Sequence, residues 1–306
     1  MAKVAAICVS TKRGFEKHPV SEATFVINYG IEGDAHAGNW HRQVSLLSKQ
    51  DIDDFKARGA ELHDGCFGEN LIIDGIDVTN LPIQSRLRIG DVVLEVTQHG
   101  KECHTHCQIF QKMGECIMPI KGVFTKVIKG GIVHIGDEIE MIERSENLTA
   151  AVITLSDRCF KGESEDLSGP LLVKELEKAG FEIAEAILIP DSREMLRSAL
   201  IRLSDQREIS LILTTGGTGF SSRDITPEVT LEVIEKNVPG ISEAIRAESM
   251  KYTKHAMLSR GVSGIRKQSF IVNLPGSPKA CKESLDVFLE PCKHGLKLLR
   301  GEKVDK

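Results

Sequence analysis

The pattern of apolar and polar positions changes near residue 145. Before it, the apolar segments are short, rich in Val, Ile and Leu, and separated by turns such as RIGD and HIGD; they include VAAICVS, RQVSLLS, NLIID, DVVLEVTQ and IVHIGDEIEMI. This pattern is typical of a mainly β barrel-like or sandwich domain. We also expect one helix at 48–58, capped by Ser48 and ended by Gly59, and a second short helix after Cys107.

After residue 148, buried apolar runs alternate with amphipathic segments. The runs AAVITLS, EIAEAILI, ISLILTT and SFIVNL are predicted strands, and helices are predicted at 168–179 and through SREMLRSALIRLS, PEVTLEVIE, GISEAIRAESM and SPKACKESLDVFL. Ser192 and Ser277 are the predicted caps of two helices. The alternation predicts a three-layer α/β domain with a mostly parallel sheet. The polar linker IERSENLT then gives two domains, 1–145 and 147–306.

Composition excludes several classes of partner and location. The chain has 306 residues, a net charge of −5 and 41% hydrophobic residues. This charge gives no general attraction to nucleic acid or to an acidic membrane surface. No apolar run is long enough to span a bilayer, and the first residues lack the hydrophobic core of a signal peptide. The eight cysteines are scattered, which favours reduced thiols and a cytoplasmic protein.

A glycine-rich turn, GGTG, directly follows the predicted strand ISLILTT. Ligands of open α/β sheets bind beyond the carboxyl ends of the strands, where glycines let main-chain N–H groups converge on a phosphate. The neighbouring Thr214, Thr215, Thr218 and Arg223 would add donors, so a phosphate cradle is favoured over a tight turn without a ligand. The chain has neither the Walker motif nor the G-x-G-x-x-G motif of dinucleotide-binding folds.

Two aspartates are expected at the same edge of the sheet. Asp191 follows the strand EIAEAILI, and Asp224 lies just past the glycine turn. A nucleoside triphosphate arrives with Mg²⁺, which prefers carboxylate oxygens, so both aspartates are candidate ligands. The alternative is helix capping, because PDS and RDITPE both resemble helix N-termini.

Residues 148–306 resemble the MogA-type molybdopterin adenylyltransferases. The matching stretches are TLSDRCFKGESEDLSGP, LIPDSRE, LTTGGTGFSSRDITPE and LSRGVSGIRKQSFIVNLPGSPK. The resemblance implies transfer of AMP from Mg-ATP to the terminal phosphate of molybdopterin, in a homotrimer, with Asp191 and Asp224 catalytic. The positions that it implies for substrate binding are Ser156, Asp157, Arg158, Thr215, Gly216, Gly217, Thr218, Gly219, Gly276 and Ser277.

The attacking group in such a reaction is already a phosphate anion, so the site must mainly position the reactants and neutralise charge. The cations that could do so are Arg158, Arg223, Arg260, Arg266 and Lys267, and we expect fewer than half of them to act. Arg223, beside the glycine turn, is included among the nucleotide-binding candidates.

The N-terminal half contains the segment GKECHTHCQIFQKMGEC, residues 100–116. Cys103 and Cys107 flank two histidines, His104 and His106. The residue types suit a structural zinc site, but C-x-x-x-C without a second pair is a weak signal. A reactive thiol with a lowered pKa and an ordinary turn with small buried cysteines are the other interpretations.

Residues 1–143 resemble the MOSC domain, which is found at the C-terminus of molybdenum cofactor sulfurases and in stand-alone proteins. The matching stretches are NYGIEGDAHAG, RQVSLLSKQDID, GCFGENLIIDGID, LRIGDVVLEVTQHGKECHTHCQIF and GIVHIGDEIEMI. The functional cysteine of that family aligns with Cys107. The resemblance implies binding of the molybdenum cofactor and, in some members, sulfur handling through a persulfide. The pyridoxal phosphate-dependent desulfurase part of the sulfurases has no counterpart here.

Three functions remain open at this point. The first is a molybdopterin adenylyltransferase with an appended cofactor-handling domain, serving a molybdenum insertase and cofactor-accepting enzymes. The second is a non-catalytic carrier or scaffold for molybdopterin or the cofactor, which the presence of Asp191, Asp224 and GGTG disfavours. The third is a nucleotide hydrolase of the same fold, which the stretch LSRGVSGIRKQSFIVNLPGSPK disfavours.

Overall fold

The chain divides into two units, Met1–Ser145 and Glu146–Lys306. The computed structural model describes residues 1–59, 62–101, 114–142 and 147–302. Across these ranges, no helix combines the length and the apolar character that crossing a membrane would need.

Seven strands of the N-terminal unit close into a barrel. The strands of this unit are β1 (Ala2–Val9), β2 (His18–Val20), β3 (Glu22–Val26), β4 (Gly30–Ile31), β5 (Val44–Ser48), β6 (Leu71–Asp74), β7 (Arg86–Ile89), β8 (Val92–His99), β9 (Val123–Lys129), β10 (Gly131–His134) and β11 (Glu138–Ile142). The order β11-β7-β8-β9-β5-β6-β1 is closed by pairing of β11 with β1. Closure leaves no unpaired edge in the ring, and it confirms the predicted barrel-like fold.

Strand β2 extends the barrel sheet at β1, and β10, β3 and β4 form a separate three-stranded sheet. Two α-helices are described in this unit, α1 (Lys49–Lys56) and α2 (Met118–Lys121), together with a 3₁₀ turn at Val78–Asn80. Ser48 precedes α1 as expected, but its buried side chain makes no capping hydrogen bond, so that part of the prediction was wrong. The helix expected after Cys107 lies outside the described residues.

A buried ion pair ties the segment before β2 to the loop after β4. The Lys17 Nζ atom lies 2.5 Å from Oδ2 of Asp34, and the two side chains are 1% and 0% exposed. Asp34 also accepts hydrogen bonds from the backbone N–H groups of Ser10 and His36 and from the side chain of Asn70. Burial alone would raise the pKa of Asp34, but the hydrogen bonds from His36 and Lys17 hold that pKa below its ordinary value. The carboxylate is therefore charged and fully partnered.

Six strands of the C-terminal unit form one sheet. They are β12 (Thr149–Leu155), β13 (Glu182–Ile189), β14 (Leu211–Thr215), β15 (Lys236–Asn237), β16 (Ser263–Arg266) and β17 (Ser269–Leu274). The order is β13-β12-β14-β17-β16-β15. The first four strands are parallel, whereas β16 and β15 are antiparallel to their neighbours. The mostly parallel sheet is thus confirmed.

Helices cover both faces of this sheet. They are α3 (Asp157–Phe160), α4 (Ser168–Lys178), α5 (Arg193–Ile201), α6 (Thr226–Val233), α7 (Pro239–Ser249) and α8 (Pro278–Leu299), with a π-helical turn at Arg202–Gln206 and a 3₁₀ turn at Lys254–Leu258. Neighbouring residues of β12 show the layering, because Val152 packs with α4, α7 and α8 whereas Ile153 packs with α5 and α6. The side chains of Ser192 and Ser277 cap α5 and α8 as predicted.

Replacing Lys17 by Met is expected to destabilise the N-terminal unit by about 3 to 5 kcal/mol, because it leaves the Asp34 charge buried without its partner. Lys49→Met is the matched control. Lys49 also lies 2.5 Å from a carboxylate, that of Asp53, but its side chain is 44% exposed. Its loss should cost about 1 kcal/mol or less. Urea unfolding measures both effects, and similar costs for the two variants would contradict the role given to the Lys17–Asp34 pair.

Candidate functional site

The register of the parallel strands brings four connecting segments to one edge of the C-terminal sheet. Leu155 of β12 pairs with Ile189 of β13, and Thr215 of β14 pairs with both Thr154 and Leu274. All four strands therefore end at nearly the same level. The segments that follow them contain most of the residues predicted for catalysis or substrate binding in this unit, and Thr215 is the last residue of β14.

The glycine turn, residues 216–219, adopts a backbone that only glycine accommodates at two positions. Gly216 has φ +98° and Gly217 has φ +64°. A Cβ atom on Gly216 would lie 2.4 Å from the carbonyl oxygen of Leu155, and one on Gly217 would lie 2.5 Å from Oγ1 of Thr226. Left-handed backbone and close packing both exclude larger residues here. The turn is thereby held against the end of β12 and the start of α6.

Helix α6 holds the carbonyl groups of the same turn. The Thr226 hydroxyl donates to the carbonyl of Gly216 at 2.9 Å, and the Thr226 backbone N–H donates to that of Gly217 at 3.1 Å. By contrast, the N–H groups of Gly217, Thr218 and Gly219 have no acceptor in the part of the chain that the structure describes. A phosphate-binding turn requires successive N–H groups that are not already bonded to an acceptor in the protein.

The threonine hydroxyls differ from the expectation. The Thr214 hydroxyl accepts a hydrogen bond from Nδ2 of Asn273 at 2.9 Å. The Thr215 hydroxyl donates to the carbonyl of Pro275 at 2.8 Å. Both side chains are buried, so they join β14 to β17 and its following loop rather than offering donors to a ligand. The part of the prediction that counted Thr214 and Thr215 as extra side-chain donors does not fit this arrangement.

Asp157 and Asp191 are joined by reciprocal hydrogen bonds between backbone and side chain. The Asp191 N–H donates to Oδ1 of Asp157 at 3.1 Å, and the Asp157 N–H donates to Oδ2 of Asp191 at 3.4 Å. Helix α5 is capped by the next residue, Ser192, whose hydroxyl accepts from the Met195 N–H. Asp191 is therefore not the cap of α5, which removes the helix-capping alternative for this residue.

Asp224 closes the loop after the glycine turn. Its Oδ2 atom accepts a hydrogen bond from the Ser221 N–H at 2.9 Å. Helix α6 begins two residues later, at Thr226, and its N-cap residue is Ile225. Asp224 thus shapes its own loop and does not cap the helix. A Cβ atom on Gly219 would lie 3.0 Å from Oδ2 of Asp224, which shows how near this carboxylate is to the turn.

The three carboxylates make this edge electronegative. Burial raises the pKa of Asp191, the carboxylates of Asp157 and Asp224 raise it further, and a hydrogen bond from Asp157 and the charge of Arg223 oppose the rise. The Arg223 guanidinium is 71% exposed and lies 3.9 Å from Oδ2 of Asp157. Clustered carboxylates of this kind disfavour their own charge, and a bound cation would relieve that cost.

No group of three His, Cys, Asp or Glu side chains that could hold a metal is found in the described ranges. Mg²⁺ is usually bound through only one or two carboxylates and completes its shell with water and substrate phosphates. The donor set at this edge, Asp191 and Asp224, fits that mode of binding.

The predicted cations fall into different places. Arg260 donates from Nε to the carbonyl of Gly219 and from Nη2 to that of Asp224, both at 2.7 Å, and it pairs with Glu228. It therefore holds the loop between the glycine turn and α6 in shape, and its donors already have acceptors. Arg158 and Arg223 are exposed at the edge itself and could reach a bound anion.

Arg266 and Lys267 lie at the opposite edge of the sheet. Arg266 pairs in register with Ser269, the first residue of β17. Its guanidinium binds both carboxylate oxygens of Asp205, and the Lys267 ammonium lies 3.5 Å from the same group. Because β17 runs parallel to the central strands, its first residue is remote from the glycine turn. These two of the five candidate cations are therefore not placed to neutralise phosphate charge at the glycine turn.

The remaining predicted residues support the loops around the glycine turn. Ser156 accepts from the Cys159 N–H at 3.2 Å and so begins α3, while Ser277 begins α8. Gly276 lies so close to Gly216 that a Cβ atom on Gly276 would be 3.5 Å from the Cα atom of Gly216. The Ser168 hydroxyl, which the sequence analysis missed, donates to the carbonyl of Gly276 at 2.9 Å.

Asp166 was also missed. Its Oδ1 atom accepts from the N–H groups of Ser168 and Gly169, at 3.0 and 2.9 Å, and this starts α4. The sequence D-L-S-G contains that signal, because aspartate is a preferred helix N-cap.

The cysteine and histidine predictions of the N-terminal unit lie outside the described residues. Cys103, His104, His106 and Cys107 all fall between residues 102 and 113. Cys116, which follows them, is half-buried and not in a disulfide. The zinc, reactive-thiol and ordinary-turn interpretations therefore all remain predictions.

Comparison with known proteins divides the chain as the structure does. A family model described as "Probable molybdopterin binding domain" matches residues 151–294, and one described as "MOSC domain" matches residues 33–140. The molybdenum cofactor synthesis protein cinnamon of Drosophila melanogaster is 40% identical over 156 residues, which are 50% of this chain and 26% of that protein. This chain therefore spans only about a quarter of the Drosophila relative.

Two further matches cover their counterparts almost completely. A molybdopterin adenylyltransferase of Helicobacter pylori is 38% identical over 158 residues, which are 51% of this chain and 90% of that enzyme. The solved structure of the molybdopterin biosynthesis Mog protein from Mycobacterium ulcerans is 36% identical, covers 52% of this chain and 100% of its own, and superposes with a TM-score of 0.48.

Gly216→Ala is expected to destabilise the C-terminal unit more than Gly162→Ala. Both glycines have positive φ, but a Cβ atom on Gly162 would meet nothing within 4 Å. Gly162→Ala should therefore cost about 1 to 2 kcal/mol for the left-handed backbone alone. Gly216→Ala should cost about 1 to 3 kcal/mol more, for displacing the end of β12. Thermal unfolding measures the difference, and equal costs would show that the turn does not press against Leu155.

Proposed function

We propose that this chain, whose C-terminal unit belongs to the family of the molybdopterin adenylyltransferases, acts as such an enzyme in molybdenum cofactor biosynthesis. A MOSC domain precedes that unit. In this reaction an oxygen of the molybdopterin phosphate attacks the α-phosphorus of ATP. A new P–O–P linkage forms, the bond between the α- and β-phosphates breaks, and pyrophosphate leaves. The product is adenylylated molybdopterin.

The single observation that carries the proposal is the glycine turn between two aspartates. The N–H groups of residues 217–219 have no acceptor in the described part of the chain. Asp191 and Asp224 lie beside these residues at the same edge of the sheet. This arrangement combines donors for phosphate oxygens with carboxylates for a cation. A protein that only carried the pterin would have no need for both.

The protein's task in this chemistry is positioning. Both reacting groups are phosphates, so the nucleophile needs no strong base, and the barrier is lowered by alignment and by charge stabilisation. The N–H groups of the glycine turn would bind phosphate oxygens, and the exposed Arg158 and Arg223 would move onto them. Arg260 and Thr226 keep the turn fixed, so little reorganisation is needed when the substrates bind.

Asp191 and Asp224 are the residues that would hold Mg²⁺. When bound, the ion would neutralise the phosphate charges of ATP. The two carboxylates would orient it at the turn. The ion would also offset the burial and the neighbouring negative charges that raise the pKa of Asp191. Asp157 fixes the Asp191 side chain through the hydrogen bond from its N–H group.

For the N-terminal unit, the match to the MOSC domain supports binding of the molybdenum cofactor, and the proposal gives Cys107 the handling of its sulfur. Residues 1–145 and 147–306 would then act as two modules at successive stages of cofactor handling in the cytoplasm. The proposal also includes a homotrimer formed through the C-terminal module, and delivery to a molybdenum insertase and to cofactor-accepting enzymes.

The test of the proposed function is a product assay on the full chain. With ATP, Mg²⁺ and molybdopterin, the protein should form pyrophosphate and adenylylated molybdopterin in equal amounts, detected by mass spectrometry. With ATP and Mg²⁺ alone it should form neither. Hydrolysis of ATP at a comparable rate without molybdopterin would indicate a nucleotide hydrolase. Tight binding of molybdopterin without any use of ATP would indicate a carrier.

Asp191→Asn and Asp224→Asn should each reduce turnover by a factor of about 100 or more, because each removes a carboxylate at the reacting phosphates. Asp191→Asn should not lower the Tm at pH 7. Because the pKa of Asp191 is raised in the folded state, its negative charge lowers the free energy of unfolding at pH values above the ordinary pKa of an aspartate. This cost disappears as the pH falls and the folded carboxyl is protonated, so the wild type should then match the Asn variant.

Asp286→Asn is the control for these variants, because Asp286 is exposed on α8. It should leave turnover and Tm unchanged. Mg²⁺ should raise the Tm of the wild type more than that of either site variant. An Asp191→Asn protein that unfolds early but keeps its turnover would make this residue structural.

A further inference from the structure

The loop that follows β17, residues 275–277, lies directly against the glycine turn. A Cβ atom on Gly276 would be 3.5 Å from the Cα atom of Gly216. The Gly216 N–H donates to the carbonyl of Leu274 at 3.4 Å, which is long for such a bond. Because this direct bond between the turn and β17 is long, the position of the turn also depends on how firmly the 275–277 loop is held.

Three buried side chains hold two consecutive carbonyl groups of this loop. The carbonyl of Pro275 accepts hydrogen bonds from the Thr215 hydroxyl at 2.8 Å and from the Cys281 thiol at 2.9 Å. The carbonyl of Gly276 accepts one from the Ser168 hydroxyl at 2.9 Å. The three donors belong to β14, α8 and α4, and all three residues are buried. The loop is therefore fixed to three separate elements of the C-terminal unit.

The thiol of Cys281 lies at the centre of these contacts. Its Sγ atom is 3.3 Å from the Thr215 hydroxyl oxygen. Burial raises the pKa of Cys281, and hydrogen bonds with the Thr215 and Ser168 side chains offset only part of that rise. The thiol therefore keeps its proton at neutral pH, and this proton is the one that it donates to the Pro275 carbonyl.

A second cysteine of α8 shows what packing alone would require. Cys292 is buried in the same apolar cluster as Cys281. No hydrogen bond of the Cys292 thiol is found among the residues that the structure describes, and burial alone raises its pKa to about 12. Two buried thiols thus lie on one helix, and only the thiol beside the glycine turn bonds to the backbone of a neighbouring loop.

We propose that Cys281 is a positioning residue of the glycine turn, whose thiol acts with the Thr215 and Ser168 hydroxyls to hold the 275–277 loop against Gly216. The effect on turnover rests on the proposed function, whereas the effect on the turn itself does not. N–H groups stabilise a charged phosphate best when they are fixed before the substrate binds. A displacement of about 1 Å can cost a factor of about 100 in rate.

Cys281→Ala in the full chain tests this role, because it removes the donor. Exchange of the Gly216 N–H with deuterium, read by mass spectrometry with electron-transfer fragmentation, should become about 5-fold faster, since a hydrogen bond that supports the loop is lost. The kcat for adenylylated molybdopterin should fall by a factor of about 10. Cys281→Ser keeps a donor beside the same carbonyl, so both values should return to within about 2-fold of the wild type.

Cys292→Ala is the matched control, because it also removes a buried sulfur atom from α8. It should lower the Tm about as much as Cys281→Ala does, but leave kcat and the exchange of Gly216 unchanged. Ser168→Ala keeps the test decisive if Cys281→Ala unfolds. It removes the donor to the Gly276 carbonyl, while the backbone bonds to Asp166 that start α4 remain. It should also speed the exchange of Gly216 and lower kcat.

Unchanged exchange of Gly216 in folded Cys281→Ala or folded Ser168→Ala would overturn the proposal. So would a Cys281→Ser protein as impaired as Cys281→Ala, or equal effects of Cys292→Ala and Cys281→Ala on the exchange. Failure of the proposed function would differ from these results, because it would appear as a wild type that forms no adenylylated molybdopterin. In that case the exchange of Gly216 would still test the role of Cys281.

Discussion

The candidate site depends on the register of four parallel strands. Because β13, β12, β14 and β17 end at one level, the loops that follow them are forced into contact. The carbonyl of Leu155 then leaves no room for a side chain at residue 216, and the Gly276 loop closes on the same point. Residue 216 must therefore be glycine, and the N–H groups of residues 217–219 have no acceptor in the described part of the chain. The geometry on which the proposed phosphate binding rests thus follows from strand pairing and packing.

Apolar layers stabilise an edge that is itself electrostatically unfavourable. Alternate residues of β12, β14 and β17 pack against helices on opposite faces, so the strands cannot slip without exposing both cores. These layers hold Asp191 close to Asp157 and Asp224, although burial and the two neighbouring charges raise the pKa of Asp191. Arg260 contributes by binding the loop carbonyls from outside. The charge that costs stability in the free protein is what would attract a cation and its phosphates.

Much of this could be predicted from the sequence, because local patterns determine it. The alternation of apolar runs predicted the parallel sheet, and the serine caps of α5 and α8 were predicted from residue type and position. The position of GGTG after a buried strand placed the turn at the ligand-binding edge. The resemblance to two known families gave the division into two domains, which family models match at residues 33–140 and 151–294. In each case the signal lies within a few neighbouring residues.

The errors concern contacts between residues distant in sequence. Arg266 and Lys267 were two of five candidate cations, but a hairpin between β16 and β17 carries them to the other edge, where Asp205 binds them. Thr214 and Thr215 were expected to face a ligand, but their strand is buried on both sides, so their hydroxyls bond to Asn273 and Pro275. Ser48 precedes a helix as predicted, yet its side chain is buried at the end of β5 and makes no capping hydrogen bond.

The most direct test of the central claim, that the glycine turn binds the reacting phosphates, is a crystal structure of the full chain with adenylylated molybdopterin. The bound phosphates should accept hydrogen bonds from the N–H groups of residues 217–219, with Asp191 and Asp224 on the same side. Phosphates bound at the opposite edge, beside Arg266 and Lys267, or a glycine turn without any contact to the ligand, would contradict the claim.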